Sequence, residues 1–259
     1  HGRNSLGVYL GNPNVHSLGA MTHNPQLVRA LGTRSVYSAT SVDQLPHHMV
    51  AWALYGHQFL LPVPDIDHTD LLVLIGHNPM ASNGSMWTVP DFPQRRRELS
   101  ARGGRLIVLD PRRTETAKIA DRHLPVRPGT DAWVLLALIR EVLASDRARP
   151  AAYVDGVEEV RGAVESFTPE LAAERSGVPA AEIRQLASDL LDAPAAAIHG
   201  RMGVSVQSFG LLCQWAIQVL NILIGGLDRG GGLMFTSPAV DLVGRGLVGA
   251  GRPGRRTRV

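Results

Sequence analysis

The sequence predicts an α/β fold: a Rossmann-like parallel sheet with helices on both faces, plus pieces of a second α/β domain. Three observations predict it. Four short apolar runs each stop at a turn containing glycine or proline. Segments of helical period lie between them. The polar residues suited to chemistry cluster just beyond the run ends, where an open parallel sheet binds its ligands.

The first run, SLGVYL, ends at Gly11-Asn12-Pro13, and the second, DLLVLIG, at His77-Asn78-Pro79. The third, RLIVLD, ends at Pro111-Arg112-Arg113, and the fourth, PAAAIHG, at Arg201-Met202-Gly203. Short runs with such punctuation read as buried strands. Residues 42–56 space Leu45, Met49, Trp52 and Leu54 near a helical period, with Pro46 in the first turn and Asp43 as the cap. Residues 93–102 predict a short arginine-rich helix closed by Gly103-Gly104. Thr130 or Asp131 caps the periodic stretch AWVLLALIREVLA, and Pro179 opens a helix over 179–192. Residues 209–224 are apolar nearly all round, as a buried helix is. Gln214, Gln218 and Asn221 within that stretch argue against a bilayer span. Residues 145–178 are more polar, with a weaker helical signal, and read as a peripheral insertion.

Composition narrows the function. The 259 residues carry a net charge of +3, and 44% are hydrophobic, so a folded protein without a membrane span is the default. Cys213 is the only cysteine, which excludes an internal disulfide framework and any cysteine-based zinc or iron–sulfur site within this chain. Lys118 is the only lysine; the other basic residues are arginines, scattered except in the tail GRGLVGAGRPGRRTRV, without the aromatic pattern of a nucleic-acid surface. The one Gly-x-Gly-x-x-Gly, at Gly244, Gly246 and Gly249, follows no useful strand and precedes no helix, so a nicotinamide fingerprint is excluded. No phosphate-binding lysine loop is present. The opening HGRNSLGVYL has no initiator methionine or signal peptide, and the chain reads as a segment of a longer cytoplasmic protein.

The strand ends point to a nucleotide. An aspartate such as Asp110 can accept hydrogen bonds from a ribose diol, and arginine and threonine suit phosphates. Asp131 has two readings. It could accept the N1–H and N2–H edge of guanine, or it could be an ordinary helix cap, which the spacing alone favours.

Five stretches together resemble the molybdopterin oxidoreductases of the dimethyl sulfoxide reductase and formate dehydrogenase type. They are GNPNVHS, YSATSVDQLPHH, VLIGHNPMASNGS, VLDPRRTETAKIADRHLPVRPGTDAWVLLAL and GRMGVSVQSFGLLCQWAIQVLNILIGGLDRGGG. The resemblance implies bis(molybdopterin guanine dinucleotide) carrying molybdenum or tungsten. It implies that Gly76, Asn78 and Pro79 turn against the pyrophosphate, that Asp110 and Arg113 meet the ribose and phosphates, and that Gly129, Thr130 and Asp131 hold the guanine. Gly200, Met202 and Gly203 would approach one pterin and Asn12 the other. Ser38 is the candidate protein ligand to the metal, with Thr40, Ser41 and Asp43 as alternatives. Ala39 stands where formate enzymes pair a histidine with their ligand, which argues against formate as substrate. A [4Fe–4S] cluster is expected upstream of His1. The implied division is residues 1–36 as part of a first α/β domain, 37–230 as the dinucleotide-binding domain and 231–259 as a truncated, flexible return segment. The partners implied are a small-molecule substrate and an unidentified electron carrier, with no nucleic acid. His47 and His48, adjacent on one helix, would point different ways, one lining the site and one solvated.

Overall fold

Strand β1 (Val8–Leu10) pairs in parallel with β2 (Val36–Ser38), Leu10 opposite Ser38, as a separate two-stranded sheet. Helix α1 (Leu18–Leu31) connects them, capped by the Ser17 hydroxyl and closed by Gly32 at φ 63°. A three-residue-per-turn segment (Ala39–Val42) then leads into α2 (Leu45–Tyr55) and the short β3 (Val63–Pro64). The computed structural model describes residues 1–11, 14 and 17–251.

The centre of the fold follows. Strand β4 (Leu71–Ile75) is succeeded by α3 (Pro79–Ser82) and α4 (Phe92–Ala101). Then come β5 (Arg105–Leu109), α5 (Glu115–Lys118), β6 (Arg122–Leu124) and α6 (Asp131–Ala144). Helices α7 (Val157–Val164), α8 (Pro169–Ser176) and α9 (Ala180–Asp192) lead to β7 (Ala196–Gly200). After α10 (Met202–Ser205) and α11 (Gly210–Leu223), β8 (Leu233–Met234) returns antiparallel to β3.

The main sheet runs β6-β5-β4-β7, all parallel, with Ile75 level with both Leu109 and Gly200. Alternation of side chains divides the core. Leu71, Val73, Ile75, Ile107 and Leu109 face α6, α9 and α11. Leu72, Leu74, Leu106 and Val108 face Phe92 and Leu99 of α4 and the Trp87 ring. Helices thus cover both faces, the arrangement expected from the sequence, and burial on both sides is why β4 reads as an uninterrupted apolar run. Each fully buried leucine contributes on the order of 1.5–3 kcal/mol.

Among the described residues, no further strand pairs beyond β7. There the Asn221 side chain of α11 accepts from Ile198 N–H at 3.0 Å and donates to Ile198 C=O at 2.8 Å.

Three sequence expectations are corrected. Residues 145–178 are not peripheral, because Val164, Ala172 and Val178 enter the larger core cluster beneath α6. Asp43 does not cap α2; the helix starts at Leu45 after Gln44, and the Asp43 carboxylate pairs with Arg201 at 2.9 Å. Neither histidine of α2 is solvated: His47 and His48 are both buried, His48 Nδ1 donating to Gln58 C=O at 2.8 Å.

Candidate cofactor site

Parallel pairing puts the carboxyl ends of all four main strands on one rim. Along it stand Gly76 to Pro79 after β4, Asp110 to Thr114 after β5, Gly129 to Asp131 before α6, and Gly200 to Gly203 after β7.

The glycines make the closest approach. Gly203 N–H donates to Gly76 C=O at 3.0 Å. Gly76 has φ +54°, and a Cβ there would lie 2.5 Å from Val204 N. A Cβ on Gly200 would lie 2.5 Å from the Ile217 side chain. Gly129, at φ +79°, has open space around it and is needed for its backbone conformation alone.

Asn78 and Pro79 are structural within this chain. Asn78 Oδ1 accepts from Thr116 N–H and hydroxyl at 3.2 and 2.7 Å, and Nδ2 donates to Glu115 at 2.9 Å. Pro79 is buried at the first position of α3. The Asp110 carboxylate accepts from Arg112 N–H at 2.9 Å, and His123 Nε2–H donates to Asp110 C=O at 2.8 Å, which fixes the turn after β5. Thr114 caps α5. Arg113 is exposed and makes no ion pair or side-chain hydrogen bond among the described residues. Arg127, one of the residues expected to face the crevice, is spent elsewhere: its guanidinium donates to Arg175 C=O at 2.6 Å.

Asp131 is not a cap. It opens α6, is 5% exposed, and its Oδ2 accepts from Gln207 Nε2 at 2.8 Å. The cap position belongs to Thr130, whose hydroxyl instead donates to Arg127 C=O at 2.6 Å. Burial pushes the Asp131 carboxyl above the usual range, and the nearby Asp110 charge pushes the same way. Gln207 Oε1 is buried without a partner among the described residues.

Ser38 ends β2, partly buried, and its hydroxyl oxygen accepts from Thr40 N–H at 3.3 Å. Its loop reaches the rim through Asp43, whose partner Arg201 follows β7 directly. Arg201 also donates to Ser85 at 2.7 Å. Ser85 sits in a stretch with several left-handed residues (Asn83, Ser85, Thr88, Asp91), a concentration of backbone strain beside the rim. Behind Arg201 lie three buried histidines. His47 Nε2–H donates to Gly200 C=O at 2.9 Å, and the Nδ1 atoms of His77 and His199 are 3.2 Å apart, so one carries the proton and the other the lone pair. Met202 is exposed beside Gly203. Asn12 lies outside the described residues. Among the described residues, no group of three or more His, Cys, Asp or Glu side chains is placed to hold a metal ion, and no helix is long and apolar enough to cross a membrane.

Sequence reasoning missed Gln207, Arg201 with Asp43, and the histidine group. The run His199-Gly200-Arg201-Met202-Gly203 at a strand end was the available signal for Arg201. Nothing local marks Gln207.

Fold and rim together define a parallel α/β layer, covered on both faces, whose polar residues gather at the carboxyl ends of its strands. The chain belongs to the molybdopterin oxidoreductase family, whose model matches residues 1–239. It is 34% identical over 170 residues to formate dehydrogenase H of Escherichia coli (strain K12), covering 64% of this chain and 23% of that protein. It is 31% identical over 212 residues to the assimilatory nitrate reductase of Haloferax mediterranei, covering 80% of this chain and 28% of that protein. Among solved structures, acetylene hydratase from Pelobacter acetylenicus superposes with a TM-score of 0.71 at 25% identity, over 87% of this chain and 30% of that one. The chain spans about a quarter of the length of the curated relatives it matches.

Proposed function

We propose that this chain is the central part of a cytoplasmic molybdenum or tungsten oxidoreductase and holds the nucleotide tails of bis(molybdopterin guanine dinucleotide). The observation that carries the proposal is the shared rim: Asp110 and Arg113 follow β5 and Asp131 opens the helix after β6, at the carboxyl-end side of the sheet where Gly76 meets Gly203.

The residues present fit such a group. Gly76 and Gly203 leave no volume for side chains because each meets the other's main chain, which joins the turns after β4 and β7 into the surface against which a pyrophosphate would lie. Arg113 has no side-chain partner among the described residues and offers a planar fork to a phosphate. Asp110 would accept from ribose hydroxyls. Asp131 would accept from the N1–H and N2–H edge of guanine, with Gly129 and Thr130 shaping the turn against the base. Asn78 and Pro79 act by fixing the turn after Gly76. Gly200 and Met202 would lie toward one pterin, Asn12 toward the other, and Ser38 would be the protein ligand to the metal. The bound metal centre supplies two-electron exchange with a small substrate of the formate, nitrate or S- or N-oxide type. Electrons would leave through a [4Fe–4S] cluster carried outside these residues to an unidentified partner.

Metal and pterin analysis of the full-length gene product tests this. About one metal per two pterins is expected; finding neither discards the proposal.

A second reading is a non-catalytic nucleotide-binding or scaffold piece of the same fold. It is favoured by the Ser38 hydroxyl, which already accepts a main-chain hydrogen bond. Turnover before and after Ser38→Ala separates the two, since unchanged metal-dependent activity removes Ser38 from the site.

A further inference from the structure

Gln207 is an anomaly in the rim. Its amide nitrogen donates to Asp131 Oδ2 at 2.8 Å, while its oxygen is buried with no partner among the described residues. Only this orientation of the amide suits an ionised carboxylate, which can accept but not donate. Buried polar atoms without partners are rare enough in native proteins to call for a reason. Here the orphan is an acceptor, tied by its own amide group to the one deeply buried carboxylate of the rim.

The geometry points to Gln207 as a specificity-determining residue that reads the exocyclic amine of a guanine held by Asp131. The inference rests on the nucleotide-binding reading above and adds a second reader to it. A carboxylate has about four lone-pair positions. Gln207 Nε2 takes one on Oδ2, and no other side chain donates to Asp131 among the described residues. The remaining positions suit the parallel N1–H and N2–H of guanine. The N2 amine has a second hydrogen, pointing away from N1, and this one needs a separate acceptor beside the carboxylate. Gln207 Oε1 is that acceptor. The pair divides the labour of recognition. Asp131 rejects adenine, which has no N1–H and no N2 amine. Gln207 rejects hypoxanthine, which keeps N1–H and lacks only the amine, so that the Gln207 oxygen would stay buried and unpaired.

The test uses the full chain free of metal and pterin, and titrates GDP, IDP and ADP by calorimetry. The wild type is expected to prefer GDP over IDP and IDP over ADP. In Gln207→Met and Gln207→Ala the GDP-to-IDP preference falls by roughly three- to ten-fold, the worth of one hydrogen bond, while the IDP-to-ADP preference persists. In Asp131→Asn the preference over ADP collapses. Ratios of affinities within one preparation are insensitive to a misfolded fraction. An unchanged GDP-to-IDP ratio in both Gln207 variants overturns this inference and leaves Asp131 as the sole reader. If the wild type binds none of the three, the nucleotide reading of the rim fails and takes the inference with it.

Discussion

Gly76 and Gly203 meet main chain to main chain: Gly203 N–H donates to Gly76 C=O at 3.0 Å, and a Cβ built on Gly203 would lie 2.8 Å from Gly76 Cα. The turns after β4 and β7 are thereby joined into one surface. Gly203→Ala forces backbone, not a flexible side chain, to move, and is expected to destabilise the fold by about 1–3 kcal/mol. Gly76→Ala should cost more, because φ +54° adds left-handed strain to the clash. Gly129→Ala has open space and should cost only the backbone term, about 1–2 kcal/mol. Urea denaturation of the three variants gives the order; equal losses at Gly129 and Gly76 would refute the packing argument.

The histidines behind the rim make stability depend on acid. Burial, with the Arg201 charge adding to it, pushes His47 down to about 4 and His77 down to about 3, and burial also holds His199 well below 6.5. Each stays neutral when folded and takes up a proton when unfolded. Their contribution is therefore fully present above about pH 6.5 and is lost as pH falls from there toward the folded values. The slope should be about 1.4 kcal/mol per pH unit for each histidine. His47→Gln, which can still donate to Gly200 C=O, should remove one proton's share between pH 6.5 and about 4. Stability measured across that range in the two proteins checks it, and parallel curves would exclude His47.

Asp131 titrates the opposite way. Its carboxyl is raised by burial, so the folded protein holds a proton to higher pH than an exposed aspartate would. Purine binding that needs the ionised form should weaken as pH falls through this raised value, above the usual 3.8. GDP titrations at a series of pH values read the midpoint. An affinity that stays level down to the ordinary aspartate range contradicts the assignment of Asp131 to the base.

Cys213 is buried in α11, and burial pushes its thiol up to about 12. The native protein should resist iodoacetamide at pH 8, and labelling should appear only under unfolding conditions. Rapid native labelling, followed by mass spectrometry, would show that α11 opens locally.

Much of this was legible in the sequence, for physical reasons. Strands β4, β5 and β7 are buried on both faces and so appear as unbroken apolar runs, and α6, α9 and α11 carry clear helical patterns. Helix α1 was invisible because none of its side chains is buried. Strands β2, β3, β6 and β8 are only two or three residues long, too short for a period to register. The rim positions of Asp110, Arg113 and Asp131 followed from where apolar runs stop. Arg127 did not, because its carbonyl partners at the end of α8 are about fifty residues away. The Arg201–Asp43 pair joins residues separated by 158 positions, and the Gln207–Asp131 bond spans 76. No local pattern encodes such a meeting.

Asn221 closes the outer margin of β7 with a side chain instead of a strand, satisfying Ile198 N–H and C=O together. An open margin of that kind is a template on which a strand of another molecule can add. Asn221 of α11 fills it at Ile198 and the His47 ring of α2 fills it at Gly200 C=O, so two side chains from within the molecule make the sheet self-terminating there. Removing the Asn221 amide would leave the Ile198 N–H and C=O open to a strand of another molecule.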